Sequence, residues 1–225
     1  MKTVSLTIDG KEIRAGEADK ILWVALDNGI YVPNLCTIRD AFQPAACRLC
    51  FVEVDGYSQP VTACTESVRE GMVVNTRGAK ALRLARTGFE LLMATYSADC
   101  AHCPKNRSCE LQRIAAHLGI KLKTKRFRKL ERKLPVDSSN PVFTYNPNKC
   151  VLCGKCVWVC QKRLGIGVFG FARRGFERVV TTFADEPIAK SNCQDCGECV
   201  SVCPSGALVF KNNKASLEET GSQGV

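Results

Sequence analysis

From Val4 to Ile13 apolar and polar residues alternate around Asp9-Gly10, which predicts a β-hairpin. The period then changes. Ile21, Leu22, Val24 and Ala25 have helical spacing within Ala18–Asn28, and Gly29 follows as a C-terminal stop. Phe51, Val52 and Val54 read as a strand before an Asp55-Gly56 turn, and Met72–Thr76 as another short strand. Ala79–Ala94 is helical by periodicity, with Leu82, Phe89, Leu92 and Met93 near one face, and a second helix is expected over Cys109–Leu118, stopping at Gly119. Pro135–Pro147, rich in Pro, Asn and Ser, reads as a boundary, and Lys211–Val225 as a polar tail without fixed structure. The pattern predicts an α+β chain: a mixed unit of about 75 residues, a helical segment and a third module.

Charge first suggests a polyanion partner, since the formal net charge is +10. Eight of its basic residues fall in Lys121–Lys133, beside one acid, Glu131. A solvated face or linker is the preferred reading of this run, docking to an acidic protein surface comes next, and nucleic-acid binding is set aside because no such motif accompanies it. Met1–Ile13 has no continuous apolar run of a secretory signal, and Ile21–Leu26 and Phe89–Ala94 are too short to span a bilayer. The chain is therefore expected to be soluble and cytoplasmic, with no membrane span, in a compartment where thiols stay reduced.

The fifteen cysteines change the picture most. Cys150, Cys153, Cys156 and Cys160 have C-x2-C-x2-C-x3-C spacing, and Cys193, Cys196, Cys199 and Cys203 repeat it before Pro204. This is the two-cluster bacterial ferredoxin signature, in which each fourth cysteine serves the other cluster. It assigns Cys150, Cys153, Cys156 and Cys203 to one [4Fe–4S] cluster, and Cys160, Cys193, Cys196 and Cys199 to a second. Gln161 stands where proline would follow Cys160, but it is not a ligand position.

Cys36, Cys47, Cys50 and Cys64 are spaced C-x10-C-x2-C-x13-C, near the plant-type [2Fe–2S] run without equalling it. Structural zinc competes on spacing alone; the β-rich surroundings and the ferredoxin module favour [2Fe–2S]. The middle group, Cys100, Cys103 and Cys109, offers three thiolates where a cubane needs four ligands or an open iron. His102 is a candidate by proximity, read in preference as a surface loop histidine; His117 is read as an ordinary helix residue, and Trp158, Phe169 and Phe171 as core packing. Ligating cysteines are thiolates, and an oxidised cluster with its four thiolates carries about −2. Four clusters would cancel most of the positive excess, which weakens the case for nucleic acid.

The order of these groups resembles the N-terminal iron–sulfur region of the large peripheral-arm subunit of respiratory complex I. It is equally similar to the iron–sulfur subunits of soluble NAD-linked hydrogenases and formate dehydrogenases, and to the front half of iron-only hydrogenases. The stretches that carry the resemblance are Tyr31–Cys36, Ala46–Val54, Asp99–Gln112, Lys149–Gly167 and Gly170–Val180, and it covers about residues 1–210. It implies a β-grasp [2Fe–2S] domain at 1–78, a small helical [4Fe–4S] domain at 79–134 and a bacterial-type 2[4Fe–4S] ferredoxin domain at 140–210, leaving 211–225 as the tail. In that family a histidine four residues before the first middle cysteine completes the ligand set; here that position is Tyr96, so the fourth ligand departs from the pattern.

No catalytic triad, phosphate loop or dinucleotide fingerprint is present, and no cysteine after Cys203 could hold an active-site metal cluster. The expectation is an electron-relay subunit, itself without catalytic residues, between a flavin- and NAD(P)-binding subunit and a second catalytic subunit such as a hydrogenase or formate dehydrogenase. The competing readings are a free-standing polyferredoxin carrier and a zinc-stabilised interaction module.

Overall fold

The computed structural model describes residues 2–39, 41, 43–123 and 125–211. The tail expected at 211–225 lies, apart from Lys211, outside the described residues. The chain divides into two compact units, Met1–Tyr96 with Glu110–Leu130, and Ser97–Cys109 with Glu131–Val225. Among the described residues no helix is long and apolar enough to cross a membrane.

The first unit is built on a mixed sheet. Strands β1 (Thr3–Ile8) and β2 (Lys11–Gly16) form the expected hairpin, with Asp9 and Gly10 both left-handed, φ 49° and 82°, as a tight two-residue turn requires. Helix α1 (Ile21–Asp27) buries Ile21, Leu22, Val24 and Ala25, the four positions its spacing picks out. Strands β3 (Phe51–Val54), β4 (Val61–Thr62) and β5 (Val73–Asn75) complete the sheet in the order β2-β1-β5-β3-β4. Among the described residues only the β1–β5 pair of this sheet is parallel. The Asp9 carboxylate strengthens that junction by accepting from the Thr76 backbone N–H at 2.7 Å and the Thr76 hydroxyl at 2.5 Å.

Helix α2 (Ala79–Thr95) starts against β3. The Glu53 carboxylate accepts from the N–H groups of Lys80 and Ala81, at 2.8 and 3.1 Å, satisfying two donors that a helix start leaves free. Its buried stripe is Ala81, Ala85, Phe89 and Met93; Leu82 and Leu92, expected on that face, are only half-buried. The stripe mixes two small residues with Phe89 and Met93, and the helix comes close to its neighbours at Gly88, where a β-carbon would lie 2.7 Å from the Arg48 carbonyl oxygen. Helix α3 (Glu110–Leu118) ends as expected at Gly119, φ 65°, and the Arg86 Nε donates to the Leu118 carbonyl at 2.9 Å. The basic run beyond it is mostly exposed, yet several of its cations are anchored. Arg126 pairs with Glu90 at 3.0 Å, and Lys129 donates to the Met93 and Tyr96 carbonyls.

The long segment of the second unit begins at Glu131. Pro135–Pro147 contains strand β6 (Phe143–Tyr145), which pairs antiparallel with β9 (Leu208–Phe210) and ties the module's two ends together. Asn140 explains why this polar stretch is structured. Its side-chain oxygen accepts from the Val142 and Phe143 N–H groups, and the residue is wholly buried. Helix α4 (Lys155–Trp158) runs into a π-helical turn at Val159–Arg163, strands β7 (Gly170–Ala172) and β8 (Val179–Thr181) form an antiparallel pair, and α5 (Glu198–Ser201) begins within the last C-x2-C and carries Cys199. Phe169 packs edge-on to Tyr145 at 5.7 Å in the core. Phe171, expected as core, is instead 40% exposed, with the Arg178 guanidinium 4.1 Å above its ring.

Candidate iron–sulfur centres

Each cysteine group sits on a loop bent through left-handed backbone. In the third group Leu152 and Gly154 have φ 55° and 79°, and Asp195 and Gly197 repeat the pair at 55° and 71°. The duplicated sequence motif is thus also a duplicated backbone conformation. Such turns direct consecutive N–H groups inward, where they meet anions or sulfur. The Leu152 N–H stands 3.4 Å from Cys150 Sγ and the Val168 N–H 3.2 Å from Cys160 Sγ. Arg48, φ 53°, bends the Cys47–Cys50 loop and Arg107, φ 70°, the loop between Cys103 and Cys109.

In the first unit Cys36, Cys47, Cys50 and Cys64 are all buried. Cys36 Sγ and Cys47 Sγ lie 3.4 Å apart, and that hydrogen bond pushes the Cys36 thiol up and holds Cys47 low. Cys50 and Cys64 are linked in the same way, with Cys50 raised and Cys64 lowered, and the charges of Cys36 and Cys47 also act on Cys64. Two thiol pairs close enough to sense each other, under a sheet edge and walled from water, suit a small cluster with four soft donors. Ala63 N–H bonds to the Cys50 carbonyl at 2.8 Å, so the β3–β4 pairing brings Cys64 back beside Cys50 although thirteen residues intervene.

In the second unit, burial is the first cause that raises the Cys150, Cys153, Cys156 and Cys199 thiols, Cys153 and Cys199 each to about 12. The neighbouring thiols that add to this divide into two neighbourhoods. Around Cys156 they are Cys153, Cys150, Cys203 and then Cys199; around Cys199 they are Cys193, Cys196 and Cys160. The chain therefore brings Cys203 to the first motif and Cys160 to the second, and the two neighbourhoods adjoin. Fifteen free thiols in a chain of this length, buried or half-buried except for Cys196, fit clusters whose iron and sulfide neutralise them.

The middle group lies in the second unit. A β-carbon at Gly206 would stand 2.6 Å from Cys103 Sγ, and Cys109 Sγ is 3.9 Å from the Pro204 carbonyl oxygen, so these thiols rest on the Cys203–Gly206 loop. His102 is exposed, its Nδ1 3.0 Å from the Asp99 carboxylate, which the pairing holds below the usual carboxylate range. Tyr96, at the position the family gives to a histidine, is 5% exposed and caps the C-terminus of α2 in the first unit. His117 packs edge-on to Tyr31 at 5.0 Å, as a helix residue would. Two residues that spacing could not single out approach the centres: Asn140, whose Nδ2 is 3.5 Å from Cys193 Sγ, and Arg132, which bonds to the carbonyls of Pro147 and Cys150.

Comparison with known proteins agrees with this geometry. Residues 1–79 match the 2Fe-2S iron-sulfur cluster binding domain, 86–123 the NADH-ubiquinone oxidoreductase-G iron-sulfur binding region, and 149–207 the 4Fe-4S dicluster domain. The chain is 36% identical to the NADPH-Fe(3+) oxidoreductase subunit alpha of Geobacter sulfurreducens, over 92% of this chain and 24% of the relative. It is 34% identical to the NADP-reducing hydrogenase subunit HndD of Solidesulfovibrio fructosivorans, over 93% of this chain and 36% of the relative. It thus spans about a quarter to a third of the length of these curated relatives. A solved NAD+-reducing [NiFe]-hydrogenase contains a chain that superposes with a TM-score of 0.83 at 28% identity, covering 93% of this chain and 88% of that one. The resemblance expected from the cysteine layout holds across nearly the whole sequence.

Proposed function

We propose that this chain, an iron–sulfur relative of the complex I G subunit and of NAD(P)-linked hydrogenase subunits, is an electron relay within a larger cytoplasmic NAD(P)-linked oxidoreductase. One end would meet a flavin- and nucleotide-binding subunit and the other a second catalytic subunit, of hydrogenase or formate dehydrogenase type. The modules at 1–78, 79–134 and 140–210 would carry one [2Fe–2S] cluster, one [4Fe–4S] cluster and two [4Fe–4S] clusters. The first is a β-grasp module held by Cys36, Cys47, Cys50 and Cys64. The middle cluster takes Cys100, Cys103 and Cys109, with Tyr96 at the family's fourth-ligand position.

The observation that carries the reading is the crossed neighbourhood of the C-terminal thiols, Cys203 with Cys150, Cys153 and Cys156, and Cys160 with Cys193, Cys196 and Cys199. A pair of isolated zinc sites has no need of ligands exchanged between two motifs that adjoin. Bound clusters supply one-electron chemistry at potentials the protein sets. The chain's own part is to present deprotonated sulfur, donate N–H groups to it from left-handed loops, and keep water away by burial.

The test is iron, zinc and acid-labile sulfide per chain after anaerobic purification. Four clusters predict about 14 irons with matching sulfide. About ten would remove the cubane at the middle group, and zinc without sulfide would overturn electron transfer altogether. A functional monomer with no stable partner would favour a free-standing carrier.

A further inference from the structure

Among the described residues, Arg132 is a cation without a carboxylate partner. Its Nη1 donates to the Arg178 carbonyl at 2.7 Å, and its Nη2 to the Pro147 carbonyl at 3.0 Å and the Cys150 carbonyl at 3.5 Å. Its Nε is buried without an acceptor. Among the described residues it enters no ion pair, whereas Arg126 and Arg173 each find one. Holding a guanidinium partly out of water costs free energy unless a negative charge stands by. The nearest candidate is the site that Cys150 opens: three main-chain carbonyls fix the guanidinium's plane at the first residue of the first ferredoxin motif.

The second motif has the opposite surroundings. The Asp195 carboxylate lies within the Cys193–Cys196 loop and is held by Asn140 Nδ2 at 2.5 Å; the same amide nitrogen is 3.5 Å from Cys193 Sγ. Asn140 thus brings a negative charge to this cluster's edge as well as a hydrogen bond to its sulfur. Adding an electron to a cluster is easier beside a cation and harder beside an anion, because the added charge interacts with both through a low effective dielectric.

We propose that Arg132 is the counter-cation of the cluster held by Cys150, Cys153, Cys156 and Cys203, and makes it the more positive of the two ferredoxin-motif clusters. Electrons then run downhill from the Cys193 cluster, beside Asp195, to the Cys150 cluster. Arg132 acts as a positioning and tuning residue, since it touches a ligand's carbonyl rather than iron. The inference rests on the cluster reading above and adds to it an order of potentials.

Potentiometric titration of the holoprotein followed by EPR tests it, with iron and sulfide measured on the same samples. In Arg132→Gln one [4Fe–4S] midpoint should move to a more negative value while the others stay. Arg132→Lys, which keeps the charge, should restore most of the shift. Asp195→Asn should move a different midpoint to a more positive value. Unmoved midpoints in Arg132→Gln with full iron content would overturn the inference and leave the cluster reading intact. Wild-type protein lacking the iron for two such clusters would overturn the cluster reading itself. Should Arg132→Gln lose its cluster, Asp195→Asn still decides: it should raise the more negative of the two ferredoxin-motif midpoints, and movement of the more positive one, or of neither, would refute the proposed order.

Discussion

Gly206 leaves room for the Cys103 sulfur: a β-carbon at 206 would stand 2.6 Å from it. No real β-carbon tolerates that separation, and a sulfur clamped on iron cannot rotate away. Gly206→Ala is expected to lower iron and sulfide by about four atoms each per chain, the content of one cubane. The [2Fe–2S] circular dichroism bands should be unchanged. A full complement in the variant would show that Cys103 is free to move and is not held by a cluster.

The same reasoning applies to Gly88, in the middle of α2. Glycine there costs about 1 kcal/mol of helix propensity relative to alanine. Alanine would nevertheless bring a methyl group 2.7 Å from the Arg48 carbonyl, in the loop between Cys47 and Cys50. We expect Gly88→Ala to destabilise by about 1–3 kcal/mol, as overpacking does, and to alter the [2Fe–2S] visible spectrum. Stabilisation by the propensity gain alone would show that the helix can shift away from the loop.

Cluster loading should release protons. Burial pushes the Cys153 and Cys199 thiols up to about 12 in the cluster-free chain, so they are protonated at neutral pH, while ligands must be thiolates. Reconstitution should therefore become more favourable as pH rises from 7 to 9. Iron and sulfide added anaerobically to cluster-free protein in weak buffer should acidify the solution. Incorporated hydrosulfide gives up a proton of its own, so a release of no more than about one proton per sulfide bound would mean that the thiols were already ionised.

His117 gives the first unit an acid-sensitive joint. Burial, then the charges of Arg77 and Arg113, hold its imidazole below the ordinary histidine value of about 6.5. A base with a depressed folded pKa contributes stability that is fully present above the unfolded value and lost as pH falls through the folded one. The unfolding midpoint should drop between pH 7 and 5, and His117→Gln should flatten that slope. Equal slopes in the two proteins would assign the acid sensitivity elsewhere.

Local chemistry was legible in the residues. The Asp9-Gly10 turn, the α1 face and the stop at Gly119 follow from short-range rules that the fold obeys. Strand β6 was not legible, because Asn140 supplies from its side chain the hydrogen bonds that make a polar stretch buriable. On α2 the burial of Phe89 and Met93 was legible, whereas Ala81 and Ala85 take buried positions and Leu82 and Leu92 are only half-buried. The middle cysteines' position on the Cys203–Gly206 loop, and the places of Arg132 and Asn140, depend on long-range folding that spacing does not encode.

The parallel pairing of β1 with β5 has a consequence for biosynthesis. A ribosome delivers Thr3–Ile8 first and Val73–Asn75 last among the strands of that sheet, yet the two lie side by side. The nascent hairpin must wait with one edge unpaired until residue 75 has emerged. Cys36, Cys47, Cys50 and Cys64 are all made within that interval. Order of translation therefore makes all four sulfurs available before the strand that closes the sheet between β1 and β3 has been made.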